Sequence, residues 1–262
     1  MATGVSFSTQ RVTKVKSIVQ DEIAAHFMAS LGQEQDILNI VSAQIYKESS
    51  FDASVIKGPA SYRPGTSGFA YFNSAVMQSL SLRGDPGEVA RSFQGVYAIG
   101  IMQVMGWNFV RGASPTGRCE LERLRPDLAG ELTVAPGEDI YSLILGEANL
   151  PLAIRAGLTI LEGKYKAVNY TPEGYRVRGD LFNRLFPSKM AGALAGYLGL
   201  GASDSNGTTP QGYAATILGG PAYQKANGNG LSVKDSKINI ASNQGPSTNG
   251  TGQKPIGVAG CA

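Results

Sequence analysis

The stretch IYKESSFD, residues 45–52, ends a run of good helix formers on a carboxylate. Upstream, Ile37, Val41 and Ile45 follow at intervals of four, and Glu48 comes three residues later. That spacing puts the three apolar side chains and the carboxylate on one helix face. A carboxylate on an apolar face loses solvation, and one near a helix C-terminus meets the negative end of the macrodipole. Both effects favour the protonated form, which is what a general acid requires. The alternative is an ordinary surface glutamate.

Other acid–base chemistries are poorly supplied. The chain has one histidine, His26, and two cysteines, Cys119 and Cys261. One histidine and two distant cysteines do not make a zinc site, so no metal and no cofactor is expected. A Ser-His or Cys-His relay would have to use His26, yet no Ser or Cys lies in a nucleophile-elbow context. His26 is therefore read as part of a helix face; the cysteines could pair, but nothing in their spacing says so, and free thiols are the favoured reading. If this chain is a catalyst, its proton transfers belong to carboxylates.

The elements that would hold Glu48 are mainly helical. Residues 11–31 carry Val15, Ile18, Val19, Ile23 and Phe27 at helical spacing, and Gly32 is the expected stop. A second helix is expected over Glu34–Ser49, others over 147–168 and 188–201, and a last one over 209–226 with Pro210 near its start. Strand signals are weak. Residues 53–94 are rich in Gly, Pro and Ser and read as a loop-rich insertion, and 227–262 is a Gly/Asn/Ser-rich extended arm. The division is thus a domain over 1–226, interrupted at 53–94, and an arm over 227–262. A net charge of +3 without basic clusters interleaved with aromatics gives no case for nucleic acid. The run MAGALAGYLGLGA at 190–202 is too short to span a bilayer, and the first 20 residues lack the apolar core of a secretory signal.

Four short motifs follow one another in order. They are Glu48, Ser49 and Phe51; then Gly100, Ile101, Met102, Gln103 and Met105; then Asn149, Ala156, Gly157, Ile160 and Leu161; then Ala195, Tyr197, Gly199 and, later, Tyr213. This order resembles the lytic transglycosylases of the lysozyme-like superfamily, in the soluble transglycosylase and goose-type lysozyme branch. The resemblance covers residues 14–226 and implies a lysozyme-like helical domain. There are two departures. Residues 53–94 stand where the family has a short loop, and Leu198 stands where an asparagine usually follows the tyrosine, a sugar contact in the family.

The resemblance implies that Glu48 protonates the oxygen leaving C1 of a muramyl sugar. Its carboxylate then takes the proton from the C6 hydroxyl, which closes a 1,6-anhydro ring without water. Ser49, Gly100, Met102, Gln103, Tyr197 and Tyr213 are the expected substrate-binding positions. Each also has an ordinary structural reading. Ser49 can cap its helix, Gly100 can serve a turn, Met102 can fill the core, and the tyrosines can pack with satisfied hydroxyls. Gln103 is expected to meet an N-acetyl group. Trp107 and Tyr97 are possible sugar-stacking faces or core residues. Asp52, Asp85, Glu88 and Glu120 are the further carboxylates near these motifs. Asp52 and Asp85 read most simply as turn residues, and either could support hydrolysis if it lined the cleft.

Peptidoglycan lies outside the cytoplasm, so a chain without an export signal suits a bacteriophage. The expectation is a virion protein of the tail that acts in the host periplasm and cell wall. Its partners would be peptidoglycan glycan strands and other tail proteins, the latter met through the 53–94 insertion and the C-terminal arm. Two alternatives stand beside it: a catalytically inactive tail hub or plug of the same fold, and a goose-type muramidase that uses water.

Overall fold

The computed structural model describes residues 9–57, 97–111, 120–201 and 209–228. Most of the expected insertion, together with Asp85 and Glu88, lies outside these residues, as do Cys119 and nearly all of the expected arm with Cys261.

The described architecture is mainly helical. Helix α1 (Thr9–Glu22) leads through a π-helical turn (Ile23–Phe27) and a short 3-10 turn (Leu31–Gln33) to α2 (Ile37–Ser49). Three two-residue strands follow: β1 (Ile56–Lys57), β2 (Ala98–Ile99) and β3 (Val104–Met105). Next come three short helices, α3 (Glu120–Leu124), α4 (Ala129–Leu132) and α5 (Ile140–Ile144), and then the long α6 (Leu150–Lys166). A hairpin of β4 (Val168–Thr171) and β5 (Gly174–Val177) precedes α7 (Lys189–Leu198), α8 (Pro210–Ile217) and α9 (Pro221–Asn227).

Helix α6 is the centre of the packing. Its buried residues include Leu150, Ile154, Leu158 and Leu161 and also Ala153, Ala156, Gly157 and Ile160, so nearly its whole circumference faces protein. A helix that is apolar all round must be covered on all sides, and α1, α3 and α7 pack against it. Helix α7 is rich in small residues: Gly196 faces Lys164 of α6, and Gly192 faces Val168 and Val177 of the hairpin. Helix α2 is covered in turn by α1, α8 and α9. Side-chain caps fix the starts of α7 and α8. The Ala191 N–H donates to Ser188 Oγ at 3.1 Å and the Gly212 N–H to Thr209 Oγ1 at 3.1 Å, with Pro210 at the first turn of α8.

Several expected boundaries move. The first helix loses regular α geometry after Glu22, before the expected stop at Gly32. The second begins at Ile37, after Asp36 in the left-handed region at φ 63°, where the Tyr223 hydroxyl and the Asn39 side chain hold the Asp36 carboxylate. The expected helix over 209–226 is two helices. Gly219 sits at φ 126°, and a side chain on Gly220 would meet the Ala215 carbonyl at 2.8 Å, so the chain turns there. Among the described residues, two small antiparallel sheets form despite weak strand signals. In the first, Ile56 pairs with Ile99 and Lys57 with Ala98, while Ala98 pairs with Met105 and Ile99 with Val104. The residues flanking the 58–96 segment are therefore paired neighbours on one sheet.

Candidate active site

Glu48 lies on the last turn of α2, and its neighbours on the expected stripe, Val41 and Ile45, are fully buried. The helix stops at Ser49, one residue beyond Glu48. Ser50 and Phe51 both take left-handed backbone angles, φ 55° and 63°, and Phe51 is driven into the core at 1% exposure. Consecutive non-glycine residues in this region are strained and persist only where packing holds them. The buried Phe51 ring supplies that hold, and it ends the helix so that the partly buried Glu48 side chain stands at its rim. Lys57 on β1 donates its ammonium to the Glu48 carbonyl, placing a cation at the negative end of the helix.

Tyr213 of α8 reaches the same carboxylate: its hydroxyl donates to Glu48 Oε1. Tyr213 is 1% exposed, and burial, then the Glu48 charge and the hydrogen bond to it, push its pKa well above the usual tyrosine value. Tyr197 of α7 donates to the Met102 carbonyl at 2.8 Å. Burial, then the charges of Glu48 and Glu120, raise its pKa well above the usual value too. Both hydroxyls therefore stay protonated and act as fixed donors.

The loop between β2 and β3 forms the adjoining wall. Gly100 sits at φ 75°, where an added side chain would also meet Ile144 at 2.8 Å. Gln103 is likewise left-handed, at φ 52°, and its side-chain amide donates to the Gly100 carbonyl at 2.7 Å and the Val55 carbonyl at 3.0 Å. Its other side-chain atom, Oε1, is buried with no hydrogen-bond partner. Met102 is 1% exposed and rests on α6, where Gly157 leaves the room that its thioether occupies.

The structure thus brings Glu48, Gly100, Gln103, Tyr197 and Tyr213 to one region, with different roles from those expected for two further residues. Ser49 is buried and its hydroxyl donates back to the Ile45 carbonyl at 3.1 Å, which favours its helix-end role over a substrate contact. The Met102 side chain is core, and only its carbonyl, engaged by Tyr197, belongs to the site. Trp107 is buried at 4% exposure, which favours core packing over sugar stacking, while Tyr97 is partly buried against the core. Asp52 forms a turn, accepting from the Ser54 N–H at 2.8 Å and the Ser54 hydroxyl at 2.6 Å, and those bonds lower its pKa. Glu120 is buried and ion-paired with Lys164 at 2.9 Å.

Two neighbours of the site were missed in the sequence. Lys57 looks like loop there, and Gln44 stands beside the Glu48 stripe as a polar residue that nothing in the sequence singles out. Among the described residues, no three His, Cys, Asp or Glu side chains gather where they could hold a metal ion, and no helix is long and apolar enough to cross a membrane. Compared with family models, curated proteins and solved structures, the chain matches none.

Proposed function

We propose that this chain is a peptidoglycan lytic transglycosylase of lysozyme-like type, cleaving the β-1,4 bond between MurNAc and GlcNAc. One observation carries the reading: Tyr213 donates to Glu48 Oε1 at the end of α2, so a carboxyl group is held in a fixed orientation beside a second, partly buried tyrosine, Tyr197. The motifs that suggested the reaction are also joined by contacts. Gly157 abuts Met102, Tyr197 holds the Met102 carbonyl, and Tyr213 holds Glu48.

In this reading Glu48 gives its proton to the glycosidic oxygen as the C1–O bond breaks. The carboxylate then takes the proton of the C6 hydroxyl while O6 bonds to C1. The products are a 1,6-anhydromuramyl end and a new GlcNAc hydroxyl, Glu48 is protonated again, and no water is consumed. Gln103 Oε1 is a buried acceptor suited to the N–H of an N-acetyl group. Among the described residues, the engagement of Asp52 and Glu120 elsewhere favours this single-carboxylate route over hydrolysis with a second carboxylate.

The setting we propose is a phage tail, where the enzyme opens the wall locally during genome delivery. The 58–96 segment leaves from β1 and returns on β2, its paired neighbour. A segment so placed can carry contacts to other tail proteins while the site keeps its frame. A second reading, an inactive hub or plug of the same fold, is favoured by Leu198, which packs against the core where the family pattern has a polar sugar contact.

Mass spectrometry of muropeptides released from purified peptidoglycan separates these readings, with wild type run beside Glu48→Gln. Anhydromuramyl ends from wild type alone are the expected result. Reducing ends from wild type alone would instead mean a goose-type hydrolase, and no release from folded wild type would make the hub the better reading.

A further inference from the structure

Gln44 lies one helical turn before Glu48 on α2 and is fully buried, yet neither its Nε2 nor its Oε1 closes a hydrogen bond. Burying an unpaired carboxamide is costly, and a leucine or methionine would fill the same space without that cost. Packing alone therefore gives no reason for a glutamine here. What lies beside it does. Four residues apart, Gln44 and Glu48 share one side of α2, and α8 packs on α2 and brings the Tyr213 hydroxyl to Glu48 on that side. The Gln44 amide also works, as the smallest contribution, against the rise in the Tyr213 pKa. Hydrogen bonds of this kind are often long in the empty site and tighten when substrate is bound.

We propose that Gln44 is a positioning residue whose amide N–H, directed at the Tyr213 oxygen, fixes the Tyr213 hydroxyl as the donor to Glu48 Oε1. A tyrosine hydroxyl has one hydrogen to give and can also accept. With Gln44 donating to it, its own hydrogen is committed to Oε1, and the proton that Glu48 transfers resides on Oε2. Without Gln44, the hydroxyl can rotate and accept the Glu48 proton, which stabilises the neutral carboxyl and holds back the proton meant for the leaving oxygen. This inference extends the acid–base role proposed for Glu48.

Other charged and titratable groups also face this end of α2. Tyr197 of α7, with Glu120 behind it, senses the Glu48 charge, and Lys57 of β1 donates to the Glu48 carbonyl. Arg11 of α1 donates to the Phe51 carbonyl, and Lys225 of α9 lies over the Tyr46 ring. None of these bonds runs through Gln44, so its replacement leaves them in place.

The test is a carboxyl-carbon NMR titration of Glu48 in the full chain, its signal assigned by its loss in Glu48→Gln. In Gln44→Leu the midpoint rises by roughly half a pH unit or more, and in a Tyr213→Phe background the same change moves it no further. Gln44→Met, of similar volume, replaces Gln44→Leu if that variant does not fold. A midpoint unchanged in a folded Gln44 variant overturns the proposal, and so does an equal shift without the Tyr213 hydroxyl. The titration needs no turnover, so a protein without transglycosylase activity can still pass it, and failure of the functional reading stays separate. Where anhydromuropeptides are released, Gln44→Leu lowers kcat with little change in KM, and a change in KM alone would overturn the positioning role.

Discussion

The Tyr213 hydroxyl donates to Oε1 of Glu48 although 165 residues separate the two in sequence. The bond ties α8 to the end of α2. A hydrogen bond to a charged partner contributes on the order of 2 kcal/mol. If that is spent on orienting the proton donor, Tyr213→Phe lowers kcat roughly 30-fold by transition-state arithmetic, with KM little changed. Steady-state release of anhydromuropeptides measures this. A folded Tyr213→Phe with kcat within about twofold of wild type would leave the hydroxyl a packing feature.

Gly157 and Met102 make a second contact between distant motifs. A side chain on Gly157 would lie 2.3 Å from Met102 Sδ and 2.6 Å from Met102 Cβ. Gly157→Ala gains about 1 kcal/mol of helix propensity but forces Met102 away, which in a packed core costs about 1–3 kcal/mol. The expected net result is loss of stability in urea denaturation, and loss of activity because Met102 carries the carbonyl that Tyr197 holds. Met102→Ala does not rescue the variant, since the Met102 Cβ is itself one of the clashing atoms. Full rescue would show that the thioether alone sets the fit.

These contacts mark the limit of what the sequence disclosed. The stripe leading to Glu48 was legible because helical periodicity is local, and burial of Val41 and Ile45 bears it out. Gln44 was not, because its burial comes from α8 and α9 packing on α2, which is a matter of long-range packing. Two-residue strands such as β1 and β2 are too short to show alternation. The β4–β5 hairpin did leave a trace, since VNYTPEGYRV sets a Pro-Glu-Gly turn between strand formers. The Gly219–Gly220–Pro221 break between α8 and α9 was also present in the sequence. Of the expected contacts, Ser49 and Met102 fell to core packing, because their motif positions could not tell a side chain facing the cleft from one facing the helices behind it.

Glu22 and Arg155 form the most enclosed ion pair joining α1 to α6 among those described. Their contacts measure 2.7 and 3.0 Å, with side-chain exposures of 7% and 15%, and Glu131 also accepts from Arg155. Glu22→Ala leaves a mostly buried guanidinium half-paired. It should cost about 2–3 kcal/mol, discounted from a fully buried pair for the remaining exposure of Arg155. Glu22→Leu with Arg155→Met replaces both charges by apolar volume and is expected to be closer to wild type than Glu22→Ala. Chemical denaturation of the three proteins checks the order, and a double variant no better than the single one would contradict it.

Asp180 gives the pH dependence. It closes the loop after β5, accepting from the Phe182 N–H at 3.1 Å, the Arg184 N–H at 3.0 Å, and the Arg184 guanidinium at 3.0 and 2.9 Å. Burial alone would raise its pKa. The Arg184 side chain, the two backbone donors and the Arg184 charge more than offset that and hold it below the ordinary 3.8. A carboxyl whose pKa is depressed by folding contributes stability that is present above its unfolded value. That contribution is lost as pH falls through the folded value. Wild type should therefore exceed Asp180→Asn by about 2 kcal/mol at neutral pH, and the gap should narrow once the pH drops below 3.8. Denaturant midpoints of both proteins from neutral to acidic pH measure that gap, and a constant separation throughout would mean that the Asp180 charge contributes nothing beyond the shape of its side chain.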